Sequence, residues 1–125
     1  MRILMLALAG TFALVATAAY ADDPMAVTYG NTVTTKDAKT GAVVTLLFNA
    51  DGTYTANGTG ADGKAITYPG KWATKDGGAT LCLTPSIPNG PGESCSPLAT
   101  HPVGEHWTVT NSTGQSFDVV VSTGR

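Results

Sequence analysis

Val43-Val44-Thr45-Leu46-Leu47-Phe48-Asn49-Ala50-Asp51-Gly52-Thr53-Tyr54-Thr55-Ala56-Asn57-Gly58-Thr59 decides how this chain folds. Side chains of an extended backbone alternate between two faces, so Val44, Leu46 and Phe48 share one side of a strand. Asn49-Ala50-Asp51-Gly52 then interrupts the alternation with residues that accept the positive φ of a tight turn. A second alternating run follows at once, and the whole stretch reads as a β-hairpin.

Working outward, the same grammar recurs in both directions. Strands are expected over Val27 to Lys36, Val43 to Phe48, Thr53 to Thr59, Ala65 to Thr74, Thr80 to Thr84, weakly over Ser96 to Thr100, then His106 to Thr110 and Ser116 to Ser122. Ala61-Asp62-Gly63, Lys75-Asp76-Gly77-Gly78 and Asn111-Ser112-Thr113-Gly114 supply further hairpin turns. No window keeps the 3.6-residue apolar period of an amphipathic helix between a cap and a terminating glycine. Turns this short pair successive strands antiparallel. The fold expected is therefore all-β, a single small antiparallel meander barrel of about eight strands, because closure hides the edges that short strands expose. A two-sheet β-sandwich is the alternative.

Faces follow from parity. Ile66, Tyr68 and Trp72 fall together, with a bulge expected at Pro69-Gly70. Leu81 and Leu83 face away from Cys82, Trp107 goes with Val109, and Phe117 goes with Val119 and Val121. Thr32, Thr34, Thr53, Thr55, Thr108 and Thr110 make a polar outer face.

The first residues have a different composition. Met1-Arg2 precedes an apolar run from Ile3 to Val15, and Ala16-Thr17-Ala18-Ala19-Tyr20-Ala21 offers small residues at an A-x-A site. These are the three parts of a cleavable secretion signal, and the run is too short for the roughly 20 residues that span a bilayer. Residues 1–21 are read as a signal peptide cleaved after Ala21, residues 22–125 as one β-barrel domain, and the location as periplasmic or secreted, with no membrane span after cleavage.

The chain has 7 basic and 9 acidic residues. That balance excludes the basic patch a nucleic-acid binder needs and the polybasic segment that holds anionic lipid. Cys82 and Cys95 are the two cysteines, and in an oxidising compartment they are expected to form one disulfide. The bridge would tie the base of Pro85-Ser86-Ile87-Pro88-Asn89-Gly90-Pro91-Gly92-Glu93-Ser94, the longest irregular stretch. Ile87, Asn89 and Glu93 are its candidate partner-contacting residues.

No catalytic motif stands out. His101, Glu105 and His106 form the one cluster of metal-capable side chains, but adjacent residues of a strand face opposite ways, so locally hydrogen-bonded histidines are expected and no metal. Asp51, Asp62 and Asp76 precede glycines in turns, and Asp118 should point outward. No nucleophile elbow, phosphate loop or dinucleotide fingerprint occurs, and no cofactor is called. An enzyme, if there is one, would rest on His101, Glu105, His106 or Asp118.

The aromatic residues Tyr29, Tyr54, Tyr68, Trp72, Trp107 and Phe117 bear on the interior. Tyr54, Tyr68, Trp72, Trp107 and Phe117 are the candidate ligand-binding residues if the barrel is hollow, since about eight strands leave room for one small ligand. In so small a domain the same side chains are expected to fill the core instead.

With Phe48-Asn49-Ala50-Asp51-Gly52-Thr53-Tyr54, Gly70-Lys71-Trp72, Leu81-Cys82-Leu83, Cys95, Val103-Gly104-Glu105-His106-Trp107 and Gly124-Arg125, the chain resembles small exported proteins of alphaproteobacteria that look lipocalin-like or calycin-like. The resemblance implies a barrel, and its motifs are structural, carrying over no functional residue. Export, an all-β scaffold and no catalytic constellation together point to a non-enzymatic envelope protein that binds a small apolar ligand or a protein partner. An inhibitor of a protease or lysozyme is the next reading.

Overall fold

Period-two alternation becomes eight strands of one antiparallel sheet in the computed structural model, which describes residues 23–60 and 62–125. The leader expected over residues 1–21 lies outside the described residues, as does Ala61 of one turn. The strands are β1 (Thr32–Asp37), β2 (Val43–Phe48), β3 (Thr53–Thr59), β4 (Ala65–Lys75), β5 (Thr80–Pro85), β6 (Ser94–Pro97), β7 (His106–Thr110) and β8 (Ser116–Ser122). β1 to β6 pair in succession, β7 pairs with β8, and β8 returns beside β1. Going round the sheet, neighbours thus follow chain order, as an up-and-down meander requires. The fold is a nearly closed barrel, not a sandwich.

The one gap lies between β6 and β7, and a serine spans it. Ser112, in the β7–β8 turn, donates its N–H to the Cys95 carbonyl at 2.7 Å, and its hydroxyl accepts the Cys95 N–H at 3.0 Å. Cys95 is also disulfide-bonded to Cys82, its directly opposite partner on β5. The bridge therefore fixes the register of the short strand on which closure depends.

The β2–β3 hairpin forms as its sequence requires. Gly52 takes φ +93°, and Asp51 Oδ1 accepts both the N–H and the hydroxyl of Thr53, at 3.0 and 2.7 Å. Register then sets Phe48 opposite Tyr54 and Leu46 opposite Ala56, all buried. With Val33, Val119, Val121 and Met25 these residues make the core.

Three expectations are corrected. The first strand begins at Thr32, not Val27, because the preceding residues close local hydrogen bonds that compete with a ladder. Thr28 Oγ1 donates to the Met25 carbonyl at 2.7 Å and Asn31 Nδ2 to the Val27 carbonyl at 2.8 Å, so Ala26–Thr28 is a single 3₁₀ turn. The weak strand covers Ser94–Pro97 and not Ser96 to Thr100, since pairing of Cys95 with Cys82 sets its position. No bulge occurs at Pro69-Gly70: pairing runs unbroken from Thr53 with Lys71 to Thr59 with Ala65. Pro69 is tolerated there because its carbonyl side faces Ser86, just past the end of β5, where no ladder N–H is required.

The residues ahead of β1 plug one end of the barrel. Met25 is only 1% exposed and enters it ahead of the 3₁₀ turn. Around it, Trp72 packs edge-on against Phe48 at 6.3 Å and beside Tyr29 at 6.2 Å, and Trp72 Nε1 donates to the Asn49 carbonyl at 2.9 Å. The C-terminal residues cross the same end. Gly124 exchanges hydrogen bonds with Asn31 and Thr32, and the Arg125 guanidinium bonds Asn49 Oδ1 at 3.0 Å and the Phe48 carbonyl.

Two outcomes are expected. Replacing Cys82 and Cys95 together by serine should lower unfolding free energy by about 3 kcal/mol in urea titrations, from the loop entropy the bridge removes; an unchanged midpoint would show that β6 is held by its hydrogen bonds alone. Acid should also weaken the fold through its turns. N–H groups of Thr40 and Lys39 hold the Asp37 carboxyl below the ordinary range, and the Thr53 hydroxyl and N–H do the same for Asp51. Because both values are depressed in the folded state, their stabilisation is present above the unfolded value near pH ~4 and is lost as pH falls through the folded values. Asp37→Asn should flatten that acid limb of a stability–pH profile.

Candidate functional site

The barrel is hollow. Its inward positions enclose a cavity of about 510 Å³ whose wall draws on all eight strands. The expectation that aromatic side chains fill the core is thereby corrected, and the reason is the size of the other inward residues. Ala56 and Gly70 contribute almost no side chain, while Thr35, Ser94 and Ser96 are small, so Tyr54, Tyr68, Trp107 and Phe117 line the space without occupying it.

Most of the wall is aliphatic: Val33, Val44, Leu46, Leu81, Leu83, Val109, Val119 and Val121 all face inward. Its two ends differ. Met25 and Thr28, both buried, close one. At the other, exposed Gly92, Glu93, Thr113 and Gln115, with Asp37 and Ala42, form a polar rim from the β5–β6 loop and the β1–β2 and β7–β8 turns.

Tyr54 and Tyr68 supply the polar groups of the interior. Tyr54 lies opposite Gly70, and Tyr68 is its diagonal neighbour on the same face of β3 and β4. A Cβ at position 70 would stand 2.2 Å from Tyr54 Cζ and 2.5 Å from its hydroxyl, so glycine lets that ring lie flat across β4. Tyr54 is 2% exposed, and no protein group among the described residues hydrogen-bonds either hydroxyl. Among the described residues no fully buried polar side-chain atom is left without a partner, so these hydroxyls border the cavity. Burial, with the Tyr68 phenol adding to it, pushes Tyr54 up to about 12, and burial raises Tyr68 as well. Both are hydrogen-bond donors throughout the neutral range.

Of the candidate ligand residues, Trp72 alone is elsewhere, in the closed end described above. Ile66, expected beside Tyr68, is 44% exposed. In the partner loop, Ile87 and Gly90 close a turn through a 3.1 Å hydrogen bond, with Asn89 at φ +57° and Ile87 exposed, while Glu93 pairs with Lys75 at 2.7 Å on the rim. The His and carboxylate candidates separate into two pairs. His101 folds back to Glu105 at 2.9 Å and stacks on Trp107 at 4.0 Å, whereas His106 meets Asp118 at 2.9 Å on the outer face of β7 and β8. Among the described residues the one three-membered metal-ligand cluster is Cys82, Glu93 and Cys95, whose sulfurs are bonded to each other. The aliphatic wall and Met25 were missed as site residues, although Leu81 and Leu83 in phase around Cys82 already pointed inward.

No protein-family model, curated protein or solved structure matches the chain. Gly70→Ala should drive the Tyr54 ring from β4 towards the cavity, lowering stability by about 1–3 kcal/mol as overpacking does; thermal unfolding unchanged from wild type would show that the ring has room to move.

Proposed function

We propose that this chain is an exported, non-enzymatic binding protein of the cell envelope that holds a small apolar molecule inside its barrel. The cavity carries this reading: at about 510 Å³ it falls in the range that accepts a drug-sized ligand, and it has an aliphatic wall with a few polar groups. A small domain gives up core packing by keeping such a space, which a purely structural barrel has no reason to do. Export is supported by the disulfide, which persists in oxidising compartments. The separation of the His–carboxylate pairs favours binding over catalysis, because acid–base work needs groups that converge on one reacting atom.

An uncharged fluorophore, N-phenyl-1-naphthylamine, tests the reading directly. Titration into the mature protein should give saturable fluorescence enhancement at one site per chain, and Leu83→Trp, which places an indole in the void, should abolish it while the barrel still folds by circular dichroism. Linear, unsaturable fluorescence with the wild-type protein would sink the proposal.

A further inference from the structure

We propose that the cavity selects an uncharged amphiphile, an alcohol or ketone whose single oxygen bonds the Tyr54 and Tyr68 hydroxyls while its apolar body fills the chamber, and that it rejects ionised carboxylates. This deepens the ligand-binding reading and rests on it. Two observations beyond the volume carry it.

The first is the pair of phenols. They are diagonal neighbours across β3 and β4, Tyr54 is almost wholly withdrawn from solvent, and neither hydroxyl is used by the protein among the described residues. Both hydroxyls border the cavity with no protein partner among the described residues, so their hydrogen-bonding capacity is free for a ligand oxygen. Each phenol donates to a carbonyl oxygen, and one of them accepts from an alcohol.

The second is charge. Among the described residues no Lys or Arg belongs to the cavity wall; its ionisable groups besides the phenols are Asp37, Glu93 and His101. Glu93 is paired with Lys75, and His101 with Glu105, while Asp37 is kept ionised by the N–H groups of its own turn. An entering carboxylate therefore finds no lysine or arginine countercharge on the cavity wall among the described residues. Burying an ion without a partner is heavily disfavoured. A hydroxyl or ketone carries no such burden.

Displacement of N-phenyl-1-naphthylamine at pH 7.5 by decan-1-ol and by decanoate separates the outcomes. Decan-1-ol should displace the fluorophore, decanoate should do so at least about a hundredfold less well, and Tyr54→Phe and Tyr68→Phe should each weaken decan-1-ol about fivefold relative to the fluorophore. Removing a hydroxyl that makes no protein hydrogen bond leaves thermal stability near wild type, so both variants fold. Decanoate competing within about tenfold of decan-1-ol, or a decan-1-ol to fluorophore ratio untouched by both substitutions, overturns the selectivity while the cavity reading stands. No fluorophore binding by the wild-type protein overturns both.

Discussion

Closure of the sheet by β8 against β1 is the constraint on which the rest depends. The ladder runs from Thr32 with Ser122 to Asp37 with Phe117, joining the first strand of the domain to its last. Without it, Val119 and Val121 would face solvent, and β1 and β8 would be open edges available for pairing with another chain. With it, alternate residues of every strand must face a common interior, and the interior's size is set by the number of strands more than by the side chains. Eight strands enclose more space than these inward residues occupy. The cavity is thus a consequence of topology that the small residues at positions 56, 70, 94 and 96 leave uncorrected.

A hollow barrel of this size needs compensation, and the molecule concentrates it at one end. Met25, Phe48, Tyr29 and Trp72 pack in one apolar cluster there, and Asn49 supports it through its carbonyl to Trp72 and its side chain to Arg125. The disulfide works at a different place, on β6, where pairing with β7 is reduced to Ser112. Stability is therefore drawn from the closed end and from the seam, while the opposite rim is built from turns and a proline-rich loop that contribute little packing. Such loops are the usual location of recognition, because they change without disturbing the scaffold.

Much of this was readable from residues. The hairpin around Asn49-Ala50-Asp51-Gly52, the inward parity of Val44, Leu46 and Phe48, and the outward placement of Asp118 follow from local rules of turn geometry and strand alternation. The failures came where a local rule met a tertiary one. Val27 to Asn31 alternates well enough for a strand, yet hydrogen bonds from Thr28 and Asn31 wind it into a plug that only a barrel end gives reason to form. Pro69-Gly70 looks like a bulge from either residue alone. In the sheet, Gly70 serves the Tyr54 ring across from it, and Pro69 sits where β5 has already ended. Trp72 shares its parity with Tyr68 but sits four residues further along β4, beside Phe48 and Asn49.

Whether the core was filled or hollow was the least readable feature, because volume is a sum over residues brought together only by closure. No single inward side chain reveals a void. The charge of the wall is hidden for the same reason: the chain has nearly balanced acids and bases, and only folding keeps the lysines and arginines of the described residues off the wall while Asp37 and Glu93 join it. The result, among the described residues, is a wall with hydrogen-bond donors but no lysine or arginine, and that combination follows from where the strands place each residue. Affinity in such a chamber comes from apolar area, which is indifferent to the ligand's identity, so discrimination falls to the few groups able to tell an ion from a dipole. Tyr54 and Tyr68 are placed to do this from inside, where a low dielectric sharpens the difference.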